Sequence, residues 1–472
     1  MKKYNLIKVL GITFFIAVLL TWIIPAGQFS EGTFHSEGIA PLGVLDLFRT
    51  PLITFANFIQ YGMAFLAIGG LYGVMNKTGV YSIIVDKIVK KFKEKKQSFL
   101  IFTIILFTLL SSLVGINMLL FVLVPFFATV LLLLGYSKIT SLVTTVGSML
   151  VGELGATYSS SVNTPLRYFF NISVHNEIIT RIIFLIIIAT LFVMFVLHSA
   201  KKEVTDDEKK GKLDIPLYKK NVKKDRTPLP LIIVCAFALL LLLIGMFDWV
   251  YSFDINVFRE MHQSIMEVNI NGFPIISNLI GSVNSLGNWS IYDLTLILIM
   301  LSLVLAWLYS LNLKDTIDSF IDGAKEMLPV ALYATLVNIL FSAIYFGQSG
   351  GDIFTTISNF LLNITESLNM VTMSLVSIIG SFFYNDFIQF SNVLSSITST
   401  VYDNTLLYPK IVLILQFMHG LVMFVAPTSI LLISGLAYFK ISYKEWLQYI
   451  WKFLIKALLI SIVVLIIMML FI

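Results

Sequence analysis

Charge is scarce in this sequence: Asp, Glu, Lys and Arg make up only 12% of its 472 residues, about half the share of an ordinary soluble domain. That scarcity over such a length excludes an ordinary soluble enzyme. Cysteine is scarcer still. The single Cys235 lies inside an apolar run, which excludes an intrachain disulfide and any multi-cysteine metal site. The five histidines are scattered and form no ligand-spaced pair. The 27 glycines form no Walker-type or dinucleotide fingerprint, which argues against ATP-driven transport by this chain alone.

What is present is apolar mass. Hydrophobic residues reach 58%, aromatics 14%, and the mean hydropathy is +0.91. Disorder and collagen-like repeats are excluded by that content. A transmembrane β-barrel would alternate in segments of about 10 residues, whereas Leu231–Gly245 and Ala457–Ile472 are apolar almost all round. At about 20 residues per crossing, the composition predicts an all-α polytopic membrane protein.

The basic residues are clustered. Twenty of the 32 Lys and Arg fall in Met1–Lys8, Lys77–Lys96 and Lys201–Arg226, whereas Gly347–Pro409 has none and Val250–Ser290 only Arg259. This distribution reads as positive-inside topology rather than as a nucleic-acid site. The N-terminus is then cytoplasmic and the C-terminus external, in the cytoplasmic (inner) membrane. Val9–Ile24 crosses outward and is kept as a span, since no clear small-x-small cleavage site follows it. Phe29–Arg49 is an external loop, and residues 1–51 form a first unit. Leu52–Met75 returns to an amphipathic interfacial helix carrying Ile83, Ile84, Lys87, Ile88 and Lys91. The block Phe99–Leu134, broken at Ser111–Asn117, is two crossings or a re-entrant hairpin. Ile139–His175 crosses outward, interrupted at Thr157–Pro165, and Ile178–Leu197 returns. Residues 201–230, with ten basic and six acidic side chains, form a cytoplasmic linker between halves.

Beyond the linker, Leu231–Phe247 and Ile291–Leu308 flank an external segment, so that 231–319 reads as scaffold. Leu328–Tyr345 goes out to Gln348–Gly351. Val371–Tyr402 is a second block, interrupted near Phe383–Asp386. Ile411–Tyr438 carries Ala426-Pro427-Thr428-Ser429 near mid-depth, and Leu454–Ile472 leaves. The order of elements in 52–200 therefore recurs in 320–472 with opposite orientation. Inverted repeats with paired discontinuous helices mark secondary transporters. Unwinding frees carbonyls for a cation and exposes helix N-termini to an anion, and lipid tolerates it only where protein or a cavity surrounds it.

Several segments resemble the anaerobic four-carbon dicarboxylate carrier family in its DcuC/YfcC-type branch. They are Thr21–Gly27, Lys77-Thr78-Gly79, Ser161-Val162-Asn163, and Ala426-Pro427-Thr428-Ser429 followed by Ser442-Tyr443-Lys444-Glu445-Trp446. The resemblance implies an inverted-repeat transporter with two re-entrant hairpins and two discontinuous helices meeting at the substrate site, and a homodimer. By position it assigns Ser160, Ser161, Asn163 and Thr164 to a first polar site, with Ser111, Ser112 and Asn117 at its hairpin tip. Thr428 and Ser429 form the second, with Asn385 and Asp386 at the partner tip. Relatives usually carry an acidic pair at the first tip, where Asn117-Met118 stands here. They often carry an acid before the second break, where Met418-His419-Gly420 stands, and a Ser/Gly-rich second tip, where Phe382–Phe387 stands. Loss of such acids makes ion-independent exchange, for example of amino acids, more plausible here than for relatives.

Ionisable residues in apolar blocks are candidates for function. Asp386 is the candidate for cation or proton coupling. Glu153 is a second, holding a substrate ammonium or pairing with a neighbouring helix through Arg167. Arg167 clamps a carboxylate or snorkels outward, and His419 titrates or packs. The expectation is a secondary active transporter of small organic anions (dicarboxylates) or amino acids, coupled to Na⁺ or H⁺ or working by exchange, with no cofactor besides that ion. Its partners are the small-molecule substrate and the lipid bilayer. The alternatives are a membrane-embedded glycan polymerase using Val250–Ser290, and a degenerate carrier acting as sensor or scaffold. The charged residues of that segment, Asp254, Arg259, Glu260, His262 and Glu267, read more simply as an amphipathic surface helix.

Overall fold

The computed structural model describes residues 5–30, 33–115, 117–203, 215–221, 223, 226–345, 351–364, 369–401 and 405–470. Most of the linker, Gln348–Gly350 and Ile116 of the first tip lie outside them.

Helix α1 (Asn5–Thr21) leads into an antiparallel hairpin, β1 (Ala26–Ser30) and β2 (Thr33–Gly38), where a plain external loop was expected. Helix α2 (Asp46–Thr78) has 33 residues, about 50 Å at 1.5 Å each. It stops at Gly79, whose φ of 78° places it in the left-handed region that glycine adopts without steric cost. Helix α3 (Tyr81–Phe92) is the expected amphipathic element. Helix α4 (Lys96–Val114) then turns back through α5 (Asn117–Phe121) and α6 (Val124–Leu133). Both arms return to one end of the molecule, because Lys96, Leu134 and Lys201 line a single cavity.

The expected interrupted helix is more fragmented than its hydropathy suggests. Helix α7 (Lys138–Leu142) runs through a π-helical turn, Val143–Gly147, into α8 (Ser148–Leu154). The backbone is irregular from 155 to 159. It resumes as α9 (Ser160–Thr164) and a second π-helical turn, Pro165–Phe169. Helix α10 (Ile178–Glu203) returns to the linker.

Helix α11 (Leu229–Met246) precedes α12 (Trp249–Phe253), α13 (Val257–Met266), the short pair β3 (Asn269–Ile270) and β4 (Phe273–Pro274), and α14 (Ile275–Ile280). None of the α13 residues is buried, as expected of a surface helix. Helix α15 (Ile291–Leu308) follows, and then α16 (Leu313–Leu336) and α17 (Ile339–Tyr345). α16 begins well before the expected Leu328. Asn312 caps it by accepting the Asp315 N–H at 2.7 Å, and its charged first turns, which hydropathy reads as loop, are helical. Helix α18 (Ile353–Leu362) was not foreseen; Asp352 caps it through the Thr355 N–H at 2.7 Å. A second hairpin, α19 (Met370–Phe383) and α20 (Phe387–Val401), is followed by α21 (Tyr408–Met423) and α22 (Ile430–Phe439). Helix α23 (Tyr443–Met469) starts at its Ser442 cap rather than at Leu454.

Among the described residues, seven helices are long and apolar enough to cross a membrane: α2, α4, α10, α11, α15, α16 with α17, and α23. The closest helix pair is α2 against α16. Gly62 faces Ala331 and Thr335, Gly69 faces Gly323 and Met327, and Gly73 faces Ser319. This register is antiparallel. A Cβ on Gly73 would drive into the Ser319 carbonyl, so only glycine permits the backbones to approach so closely. Lys77 and Asp315 close one end of the pair at 3.0 Å.

Candidate substrate site

Two helix breaks create backbone carbonyls that have lost their helical donors. In a bilayer each would cost several kcal/mol if left unpaired, so their partners are informative. At the first break, Gln416 of α21 donates to the carbonyls of Ala156 at 2.9 Å and Leu154 at 3.4 Å. Ser112 donates to Gly155 O at 3.0 Å, and Asn163 to Tyr158 O at 2.9 Å. At the second break, Trp446 Nε1 donates to Phe424 O at 2.7 Å. Tyr443 donates to Val425 O, and Asn385 to Thr428 O at 2.9 Å. These carbonyls, which the sequence offered to a cation, are taken by side chains of the protein itself.

Each hairpin tip is fastened to one break. The Thr157 N–H donates to Ser112 O at 3.0 Å, and Ser160 Oγ to Val114 O at 3.3 Å. In the second half, Thr428 Oγ1 donates to Phe382 O at 3.3 Å. The two broken helices also meet directly, with Gly420 of α21 against Leu154 of α8.

Between the tips lies a cavity of about 330 Å³. Of the residues singled out in the sequence, it is lined by Asn117, Glu153, Ser160, Ser161, Asn385, Asp386 and Ser429. Asn163, Thr164 and Thr428 lie outside the lining. Asn163 is fully buried and donates to Tyr158 O and to Ser252 of α12. Thr428 is buried in the contact between tip and break. The serines sit at helix starts: Ser160 and Ser161 open α9, and Ser429 caps α22 by accepting the Leu432 N–H at 3.4 Å. Tyr61 of α2 and Ser290, the α15 cap, also line the cavity. Sequence reasoning missed both. Ser290 is visible only as a Ser-x-x-Asp capping box with Asp293, and Tyr61 carries no signal.

Both carboxylates are held in place. Glu153, in the last turn of α8, accepts from Asn117 Nδ2 at 3.5 Å, and Asn117 Oδ1 accepts from Ser111 at 2.7 Å. Asp386 Oδ1 caps α20, accepting the N–H groups of Ile388 at 2.8 Å and Gln389 at 3.2 Å. Among the described lining residues there is no Lys, Arg or His. Arg167 is exposed and lines a separate cavity with His175 and Asp254. His419 is buried behind the second tip, 3.1 Å from Ser381 Oγ and stacked on Phe390.

Chemically the cavity offers helix N-termini and hydroxyls to an anion and two carboxylates to a cation. Residues 5–470 match the family described as DcuC, C4-dicarboxylate anaerobic carrier. No curated protein matches the chain. Among solved structures, the Alcanivorax borkumensis YdaH transporter, described as having an unusual topology, is similar over 98% of each chain at 12% identity and a TM-score of 0.39, a likeness too low to argue from.

Proposed function

The chain belongs to the C4-dicarboxylate anaerobic carrier family, and we propose that it moves a small dicarboxylate across the cytoplasmic membrane by alternating access, coupled to Na⁺ or H⁺. It is an integral membrane carrier and not an enzyme. The observation that carries the proposal is the convergence of both hairpin tips and both helix breaks on one cavity. Its 330 Å³ is at the lower end of ligand pockets, about 300–1,000 Å³, in keeping with a four-carbon acid. The starts of α9 and α22 supply the donors for carboxylate oxygens. Glu153 and Asp386 share the lining with no basic side chain. A dianion therefore enters only with cations or protons, which those two carboxylates hold. The same acid pair favours one second reading, a zwitterionic amino acid whose ammonium sits at Glu153.

Two re-entrant hairpins in inverted repeats complete the reading. In the second hairpin the 14 and 15 residues of α19 and α20 rise about 21–23 Å, short of the ~30 Å hydrocarbon core. In the first, the 10 residues of α6 fall short while the 19 of α4 nearly span it. In both halves a long helix precedes a short one, a hairpin, a broken helix and a final crossing. Packing follows suit: α4 lies on α8 as α19 lies on α21, and α10 on α8 as α23 on α21. The antiparallel α2–α16 pair is what opposite orientation requires. On this reading units 52–200 and 320–472 are the repeats, 1–51 an entry helix with its external hairpin, 201–230 the cytoplasmic linker and 231–319 a scaffold, and the resemblance adds a homodimer. By the positive-inside rule the clustered lysines favour an N-terminus inside and a C-terminus outside.

The test is a thermal-shift screen of C4 dicarboxylates and amino acids, with and without Na⁺ and across pH, followed by uptake into proteoliposomes. Dicarboxylate stabilisation that depends on Na⁺ or pH supports the first reading, and stabilisation by amino acids alone supports the second. Reconstituted protein that drives neither uptake nor exchange of any of them sinks both.

A further inference from the structure

Away from the substrate cavity, a second cavity of about 230 Å³ opens between α2, α3, the α5–α6 turn, α11 and α15. Its wall is aliphatic and aromatic: Leu71, Ile84, Phe126, Leu239 and Leu298 are representative. Along α11 the lining runs from Leu231 to Leu242, about 16 Å at 1.5 Å per residue. That is close to one leaflet of a ~30 Å hydrocarbon core. The cavity opens sideways into the bilayer, because Ile232 and Ala236 on its rim are exposed.

One end of this cavity is basic. Leu231, at that end, donates its N–H to Tyr309 Oη at 3.1 Å, and the Arg226 guanidinium lies 6.0 Å from the centre of the same Tyr309 ring. Arg226 spends Nη1 on Thr78 O at 3.1 Å. The Lys223 side chain lies against Gly79, just past the end of α2, and Lys87, Lys90 and Lys91 of α3 are exposed nearby in sequence. The acids at this end lie on the α16 side, where Asp315, Asp318, Asp322 and Glu326 line a neighbouring cavity with Lys77 and Lys219. Asp315 pairs with Lys77 and is also acted on by Lys223, Glu326 pairs with Lys219, and Asp86 is half-buried on α3. Arg226 and Lys223 beside an apolar shaft about one leaflet deep are complementary to an anionic headgroup that carries an acyl tail.

We propose that this cavity binds one acyl chain of an anionic phospholipid, whose headgroup phosphate rests at Arg226 and Lys223. A zwitterionic lipid supplies the same tail without net negative charge. A free phosphate compound supplies the charge without the tail. Basic pockets between membrane helices at the cytoplasmic side are suited to such headgroups. The bound chain would bridge α11 and α15 to α3 and the first hairpin. This inference needs only a membrane carrier, so it stands or falls independently of the substrate.

The experiment uses the full chain in mild detergent, stripped of lipid by extended washing. Dioleoylphosphatidylglycerol, dioleoylphosphatidylcholine and glycerol 3-phosphate are added in turn while Tm is followed, and native mass spectrometry counts retained lipid. The expected result is a Tm rise with phosphatidylglycerol that exceeds the rise with phosphatidylcholine, no rise with glycerol 3-phosphate, and one phosphatidylglycerol retained per chain. Ala236→Phe narrows the exposed rim and removes the phosphatidylglycerol increment. Arg226→Gln equalises the two lipids, and Arg226→Lys keeps the preference. Equal stabilisation of the unmodified protein by both lipids overturns the proposal. So does an undiminished phosphatidylglycerol increment in both Ala236→Phe and Arg226→Gln, each of which is compared with its own lipid-free Tm.

Discussion

Gly115→Ala is the perturbation that tests most directly whether the first hairpin tip and the first break form one binding unit. Gly115 has a φ of 78°, and an L-residue held there costs about 1–2 kcal/mol. The new methyl would also lie 2.8 Å from Ser159 Oγ and 2.9 Å from both Ser160 N and Ser160 Oγ. The first can rotate away, but the backbone nitrogen at the start of α9 cannot. Overpacking of that kind costs about 1–3 kcal/mol, and the relief available is for the tip to part from α9. That motion withdraws Asn117 from Glu153 and widens the space in front of Ser160 and Ser161. If only about 1.4 kcal/mol of this falls on the bound state, Kd rises about tenfold. Gly38→Ala is the control, since its φ is 81° and nothing lies within 4 Å of the added methyl; it carries the strain without the clash. Thermal unfolding and titration with the dicarboxylate identified in the screen are measured on both variants. Both are expected to lose stability, and only Gly115→Ala to lose affinity. Equal affinities in the two variants would refute the reasoning.

Asp386→Asn keeps an amide oxygen for the N–H groups of Ile388 and Gln389 and removes the charge. Its Tm is expected to hold while uptake loses its dependence on Na⁺ or on a pH gradient; coupling that survives unchanged rules Asp386 out. Trp446→Phe deprives the Phe424 carbonyl of its 2.7 Å donor at a fully buried position. A loss of about 1–3 kcal/mol is expected, read by denaturant or thermal unfolding. Arg181 is fully buried and its guanidinium nitrogens have no hydrogen-bond partner among the described residues, while Glu177, the acid that acts on it, is itself engaged by Lys410 at 2.6 Å and Thr180 at 3.0 Å. A charge buried without hydrogen bonds carries a desolvation penalty of several kcal/mol, which an apolar side chain of similar volume does not. Arg181→Met is therefore expected to match or exceed the parent Tm, and a marked drop would contradict that account.

The sequence made the long, uniformly apolar helices plain. Ile291–Leu308 was bounded to the residue, because its Ser290 cap and Tyr309 end coincide with the limits of hydropathy. The same rule failed at α16, whose Asp315, Asp318 and Asp322 look like loop to hydropathy yet ride on a helix, and at α18, whose ten residues were too short to count. The hairpin β1–β2 was invisible because a two-stranded ribbon has too few residues to establish a period. At the site, polar interruptions in apolar blocks pointed to Asn117, Ser160, Ser161, Asn385, Asp386 and Ser429, all of which the chain brings to one cavity. Asn163 and Thr428 belong to the same interruptions but turn their side chains into the packing. Type and spacing cannot separate a serine that opens onto a cavity from an asparagine that secures the break behind it. Tyr61 and Ser290 arrive from other helices, and only the tertiary fold supplies them.

The partners of the broken backbone also bear on how charge is handled. An interrupted helix offers a cation its loose carbonyls and an anion its exposed N–H groups. Here Gln416, Ser112, Asn163, Trp446, Tyr443 and Asn385 occupy carbonyls at the two breaks, whereas the helix starts at Ser160 and Ser429 border the cavity. The backbone is thus biased towards the anion, and the negative side chains Glu153 and Asp386 oppose it. A carboxylate substrate bound between those two groups raises the repulsion in a low-dielectric cavity, where charges interact several-fold more strongly than in water. Each cation or proton taken up beside Glu153 or Asp386 removes part of that repulsion. Under the proposed function, substrate binding and ion binding would then stabilise each other without any contact between separate sites, and coupling would follow from charge balance in a single cavity.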